Sequence, residues 1–171
     1  NVINEAIRLN SEGYNSPLAI ETSGHGALRE NYFLDDGAYM SAKIIIKMAK
    51  LREQGNSLGE LLEKLRDPLE AEEFRIKICC EDFKAYGAKV LEAFADYAKG
   101  REDWKIAPDS FEGLRADVPA AHGWFLLRLS LHDPQMPLNI ESDKAGGVAE
   151  IAAQLREFLA GYSELRLPEN L

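Results

Sequence analysis

Residues 124–141 alternate apolar and polar side chains twice, on either side of a short polar stretch around Asp133 and Pro134. Alternation with a period of two marks a strand that buries one face, and two such runs joined by a turn predict an antiparallel hairpin. In the first run Phe125, Leu127, Leu129 and Leu131 share one face, while Arg128 and Ser130 share the other near the strand's end. The hairpin therefore projects a guanidinium and a hydroxyl together beside a loop. The planar fork of Arg128 matches two oxygens of a phosphate or carboxylate, and Ser130, His132 and the loop amides can add donors. That pattern suits an oxyanion. A solvated strand arginine next to a turn-forming serine would give the same spacing.

Residues from 69 to 171 predict a complete domain around this hairpin. Phe74, Ile76, Ile78 and Cys80 alternate with Arg75, Lys77 and Cys79, giving a strand with one apolar face. Phe83, Tyr86, Gly87, Val90, Leu91, Phe94 and Ala98 line one side of a helix over residues 82–99, which Gly100 closes. Residues 101–111 read as a polar loop apart from Trp104 and Ile106, and Leu114, Ala116 and Val118 form the next strand. After the hairpin, a helix over about residues 144–160 buries Val148, Ile151, Ala152, Leu155, Phe158 and Leu159. Two helices cover only one face of a sheet. The expected fold class is α+β: two layers, with a four-stranded, mainly antiparallel sheet and both helices on one side. The open side would carry Arg75, Lys77, Arg115, Arg128, Ser130 and Asn139, a locally basic surface in an acidic chain. Trp124 and Leu126 fall there too, and their exposure predicts a neighbouring domain.

Residues 1–68 read differently, as a separate and largely helical region. A helix over residues 1–10, a helix capped by Asp35 or Asp36 with Ala38, Ala42, Ile45, Met48 and Ala49 on its core face, and a third carrying Leu58, Leu61, Leu62 and Leu65 leave one convincing strand, within residues 17–21. Ser57 and Glu60 form a capping box for the third helix, and Pro68 stops it. A lone strand cannot satisfy its backbone, so this region reads as the remnant of an α/β domain with other strands missing. The chain also opens at Asn1, without an initiator Met, directly into an amphipathic pattern, which predicts that it begins inside a longer protein. Its uncovered apolar stripes would need absent domains, or self-association, to bury them.

The formal net charge of −9 argues against non-specific binding to nucleic acid or to anionic membranes, which need a dense basic face. An anionic ligand would need a local basic pocket instead. Cys79 and Cys80 are adjacent and point to opposite sides of a strand, which predicts free, reduced thiols in a cytoplasmic protein. The short run Ile44-Ile45-Ile46 lies between Lys43 and Lys47 and is far too short for a membrane span.

Two motifs stand in order along the chain: Glu21-Thr22-Ser23-Gly24-His25, with Asp35-Asp36-Gly37 opening the next helix, and Arg128-Leu129-Ser130-Leu131-His132-Asp133-Pro134 between two strands. Their order and separation resemble the α-D-phosphohexomutases, especially the phosphomannomutase/phosphoglucomutase branch. The resemblance covers nearly the whole chain, as the end of that family's third domain (residues 1–68) followed by its fourth (residues 69–171). It implies that Glu21 and Ser23 contact sugar hydroxyls, that His25 lies near the reacting centre, and that Arg128, Ser130 and the loop through Leu131 and His132 hold the substrate phosphate that is not transferred. Where the family often has Asn or Gly and then Thr, this chain has Leu131 and His132, losing a hydroxyl and gaining an imidazole. The family's phosphorylated serine and its Asp-Gly-Asp magnesium loop have no counterpart here. Mg2+ would therefore be bound outside this chain, which would be inactive alone, and the full-length isomerase would interconvert hexose 1-phosphate and 6-phosphate.

A non-catalytic α+β module that binds a small anion would explain the second half equally well, but leaves the first motif without a role. A serine hydrolase built on Ser23 lacks both a Gly-x-Ser-x-Gly elbow and an acidic partner. His25, His122 and His132 lack metal-ligand spacing.

Overall fold

The computed structural model describes residues 2–21, 24–108, 110 and 112–171. The chain divides into two units, Asn1–Arg66 and Asp67–Leu171. In the first, α1 (Val2–Ser11) is followed by a small hairpin of β1 (Leu18–Ile20) and β2 (Gly26–Leu28), then by α2 (Gly37–Glu53). The strand expected to stand alone therefore has an antiparallel partner, with Ala19 opposite Ala27. Three residues opening on glycine gave β2 no readable alternation. Arg29 ties the hairpin to the end of α1 by donating to the side-chain oxygens of Asn10 and Asn15 at 2.8 and 3.0 Å.

Asp36 caps α2, accepting from the Tyr39 amide at 2.9 Å. The core face expected on this helix is not covered within the unit: Ile45 and Met48 are 59% and 49% exposed, and Leu51 is the helix's buried residue. The expected helix near Leu58 is a single 3-10 turn, Gly59–Leu61. Half of the capping box forms, with the Ser57 amide donating to Glu60 at 2.9 Å. Leu61, Leu62 and Leu65 nevertheless stay exposed, and a short helix with nothing to bury is marginal in water.

The second unit contains β3 (Glu70–Ile78), α3 (Phe83–Lys99), β4 (Lys105–Ile106), β5 (Leu114–Val118), β6 (Gly123–Leu127), β7 (Gln135–Ser142), α4 (Gly147–Leu159) and β8 (Leu165–Arg166). They form one sheet of six strands in the order β4-β5-β6-β7-β3-β8, with every pairing antiparallel. The fold is mixed α and β, but the expected count of four strands is corrected. Each added edge strand has two residues, too few for alternation to be seen.

Both helices contribute to a single core with the sheet, and Phe94 lies at its aromatic centre against Tyr97, Trp104, Phe125 and Phe158. Trp104, assigned to a loop from sequence, is buried and donates from Nε1 to Gln154 at 2.9 Å. No helix among the described residues is long and apolar enough to cross a membrane.

Candidate functional site

The turn of the first hairpin is closed by its own backbone: the Glu21 amide donates to the His25 carbonyl at 2.8 Å and the Gly24 amide to the Glu21 carbonyl at 3.0 Å. Gly24 sits at φ 90°, where a side chain would be strained. Glu21 and His25 therefore stand at the two ends of one tight loop. Ser23, predicted between them, lies outside the described residues.

His25 Nδ1 meets Asp35 Oδ2 at 2.7 Å, and the other Asp35 oxygen accepts from the Gly26 amide at 3.2 Å. Tyr32 and Phe33, both with left-handed backbones at φ 54° and 55°, turn the chain back so that Asp35 bridges to Ala27. Hydrogen bonding to Asp35, then its charge, raises the His25 pKa above the ordinary histidine value. Sequence reasoning saw Asp35 only as a candidate helix cap. Asp36 takes that role, which leaves Asp35 to orient the imidazole.

In the second unit the hairpin ladder runs beyond β6, because the Arg128 amide donates to the Pro137 carbonyl at 3.1 Å and the Ser130 amide to the Gln135 carbonyl at 3.0 Å. Leu129 packs against the core, so Arg128 and Ser130 fall on the sheet's open side, as the alternation predicts. The alternation then ends. Leu131 is 72% exposed rather than on the apolar face, because residues 131–134 form the tip of the hairpin. Ser130 Oγ accepts from the Asp133 amide at 3.2 Å, while the amides of Leu131 and His132 make no hydrogen bond among the described residues. The Arg128 guanidinium likewise has no hydrogen-bond or ion-pair partner among them. Those three donors are oriented by the hairpin yet unspent among the described residues.

Rows of residues cross the open side from this end of the sheet. The outermost is Arg166, Lys77, Gln135 and Ser130; the next is Arg75, Pro137 and Arg128. Further from the tip come Glu73, Asn139, Leu126 and Arg115, then Ala71, Glu141, Trp124 and Asp117. The expected basic surface is thus densest at the hairpin end and gives way to acidic residues, with Arg115 standing apart among them. Arg75 is paired with Glu73 at 2.8 Å, and Arg115 lies 3.4 Å from Asp117 with its guanidinium 4.8 Å from the Trp124 ring. Trp124 is consequently half-buried under Arg115 instead of bare. A shallow depression lined by Ala71, Glu73, Asn139 and Glu141 opens at the acidic end, the wrong sign for an anion.

The structure thus brings Glu21 and His25 into one loop and Arg128, Ser130, Leu131 and His132 into another, each within its own unit. Arg166 was missed because a strand of two residues gave no signal. Among the described residues no group of three or more His, Cys, Asp or Glu could hold a metal ion, and Cys79 and Cys80 are free thiols.

Comparison with protein-family models and with curated proteins finds no match. Among solved structures, the chain is similar to a phosphoglucomutase/phosphomannomutase family protein from Burkholderia thailandensis, with a TM-score of 0.69 and 24% sequence identity. The match covers 96% of this chain and 32% of that one, so the chain spans about a third of that protein's length and shares its fold there. The family resemblance read from the two motifs is thereby matched at the level of fold.

Proposed function

We propose that this chain is the sugar- and phosphate-binding part of a phosphohexomutase, an isomerase that interconverts hexose 1-phosphate and hexose 6-phosphate. The observation that carries the reading is Arg128, a permanently charged fork with no partner among the described residues, held by the hairpin ladder beside Ser130 and two free loop amides. On this reading the loop clamps the phosphate that stays on the sugar. Glu21 and Ser23 accept hydrogens from sugar hydroxyls, and His25, fixed by Asp35, moves a proton at the hydroxyl that gains or loses the phosphoryl group. The phosphoserine donor belongs to segments outside this sequence. Magnesium, if bound there, would supply charge neutralisation to the transferred group. What this chain supplies is positioning: both ends of the substrate are held so that the transfer is in line.

Binding therefore tests the proposal better than turnover. In a nuclear magnetic resonance titration of the chain with glucose 6-phosphate, amides of residues 128–132 should shift, and Arg128→Ala should weaken affinity by about 10- to 150-fold, the worth of a charge-assisted hydrogen bond. Arg128→Lys should recover part of the loss, since a point charge cannot reproduce a two-pronged contact. Unchanged affinity in Arg128→Ala would remove the clamp. Equal affinity for inorganic phosphate, with no response from residues 21–35, would favour a plain anion-binding module.

A further inference from the structure

Lys77 and Arg166 stand directly opposite each other on neighbouring strands, on the open side of the sheet. Like charges in that relation repel, and neither residue has an ion-pair partner among the described residues. Arg75 nearby is already matched by Glu73 at 2.8 Å. The acids nearest in sequence, Glu73 and Glu81 beside Lys77 and Glu164 and Glu169 beside Arg166, form no ion pair with either cation among the described residues, Glu73 being paired with Arg75. An acidic chain thus keeps two unmatched cations side by side, in the same row as Ser130. With strands about 5 Å apart, Lys77 lies roughly 10 Å from Ser130, within one screening length at moderate salt.

We infer that Lys77 and Arg166 determine the charge specificity of the Arg128 loop, favouring a doubly charged phosphate monoester over a singly charged oxyanion of the same shape. The inference rests on the phosphate-clamp reading. Arg128, Ser130 and the loop amides recognise three oxygens, which a phosphate ester and a sulfate ester share. Of those contacts only Arg128 carries a charge that separates the two esters. The positive potential of Lys77 and Arg166 adds to that discrimination without touching the ligand, because its attraction also scales with ligand charge, and a phosphate monoester is a dianion above its second pKa near 6.

The test compares glucose 6-phosphate with glucose 6-sulfate at pH 8 and low ionic strength, using the whole chain. In the double variant Lys77→Gln/Arg166→Gln, the preference for phosphate over sulfate should shrink by about 2- to 5-fold, and added salt should do the same to the unaltered chain. Without ligand, Lys77→Gln should melt slightly higher, because it removes the cross-strand repulsion. Arg128→Ala should weaken both esters, the sulfate included, because it removes a direct contact as well as a charge. If the preference survives the double variant while Arg128→Ala weakens both esters, the inference fails and the clamp stands. If Arg128→Ala changes neither, the clamp fails, and the inference with it. A lower melting temperature in Lys77→Gln would also overturn it, since the cation would then be a structural contact.

Discussion

Asp35 decides what the imidazole of His25 can do. Engaging Nδ1 at 2.7 Å leaves Nε2 as the nitrogen free to meet a substrate hydroxyl, and the carboxylate favours the charged ring. Asp35→Asn should therefore lower the His25 pKa towards the ordinary value of about 6.5, a change that a titration of the ring protons by nuclear magnetic resonance reads directly. Because folding raises this pKa, the pair's contribution to stability is complete below the unfolded histidine value and is lost as pH rises through the raised one. The stability gap between the chain and Asp35→Asn should accordingly narrow on going from mildly acid to alkaline pH. A gap that stayed constant with pH would mean that Asp35 serves the backbone at Gly26 more than the ring. Little of this was legible in sequence: the pairing depends on left-handed backbone at Tyr32 and Phe33, where a bulky side chain gives no turn signal. Arg128 and Ser130 were legible, because strict alternation carries them to one side whatever the loop does.

The same contrast holds for the elements. Strand β3, helix α3, strand β5, the β6–β7 hairpin and helix α4 bury one regular face against a shared core, so period alone located them. The 3-10 turn at Gly59–Leu61 had good local signals for a helix but no surface to pack on, and burial outweighed capping. Gly113 shows how an element can be positioned by something no pattern reveals. It sits at φ 141°, and a Cβ there would lie 2.2 Å from the Leu127 carbonyl oxygen and 2.8 Å from the Arg128 Cα. The strand end bearing the anion loop thus fits only against a residue without a side chain. Gly113→Ala should destabilise the second unit by roughly 1–3 kcal/mol, the range for overpacking, and should weaken glucose 6-phosphate binding by moving Arg128. Gly100→Ala, at φ −82° with its nearest contact at 3.4 Å, should be nearly neutral in both. Urea melts followed by ligand titration of the two variants would separate them.

Across the whole molecule, apolar burial is unevenly shared. The core cluster belongs entirely to the second unit, whereas the buried apolar residues described in the first are Ala6, Ala19, Ala27 and Leu51. Three alanines and a leucine bury little area, and burial is the main force that offsets chain entropy. The first unit is held largely by polar ties such as Arg29 to Asn10 and Asn15, and by Arg8 with Glu5 and Glu12 along α1, which contribute little where they are exposed. It should therefore open well before the second. Both tryptophans, Trp104 and Trp124, lie in the second unit, so their fluorescence reports that unit alone. Phe94→Ala removes the aromatic centre beside Trp104 and should lower the fluorescence-detected stability by about 3–5 kcal/mol. Hydrogen exchange read amide by amide should then show residues 2–66 exchanging through an opening of low free energy that Phe94→Ala leaves unchanged, while protection over residues 70–166 falls with the variant. Uniform protection along the chain, or a fall in both halves together, would mean that the first unit draws its stability from the second, and the picture of a sparsely buried region in need of further cover would be wrong.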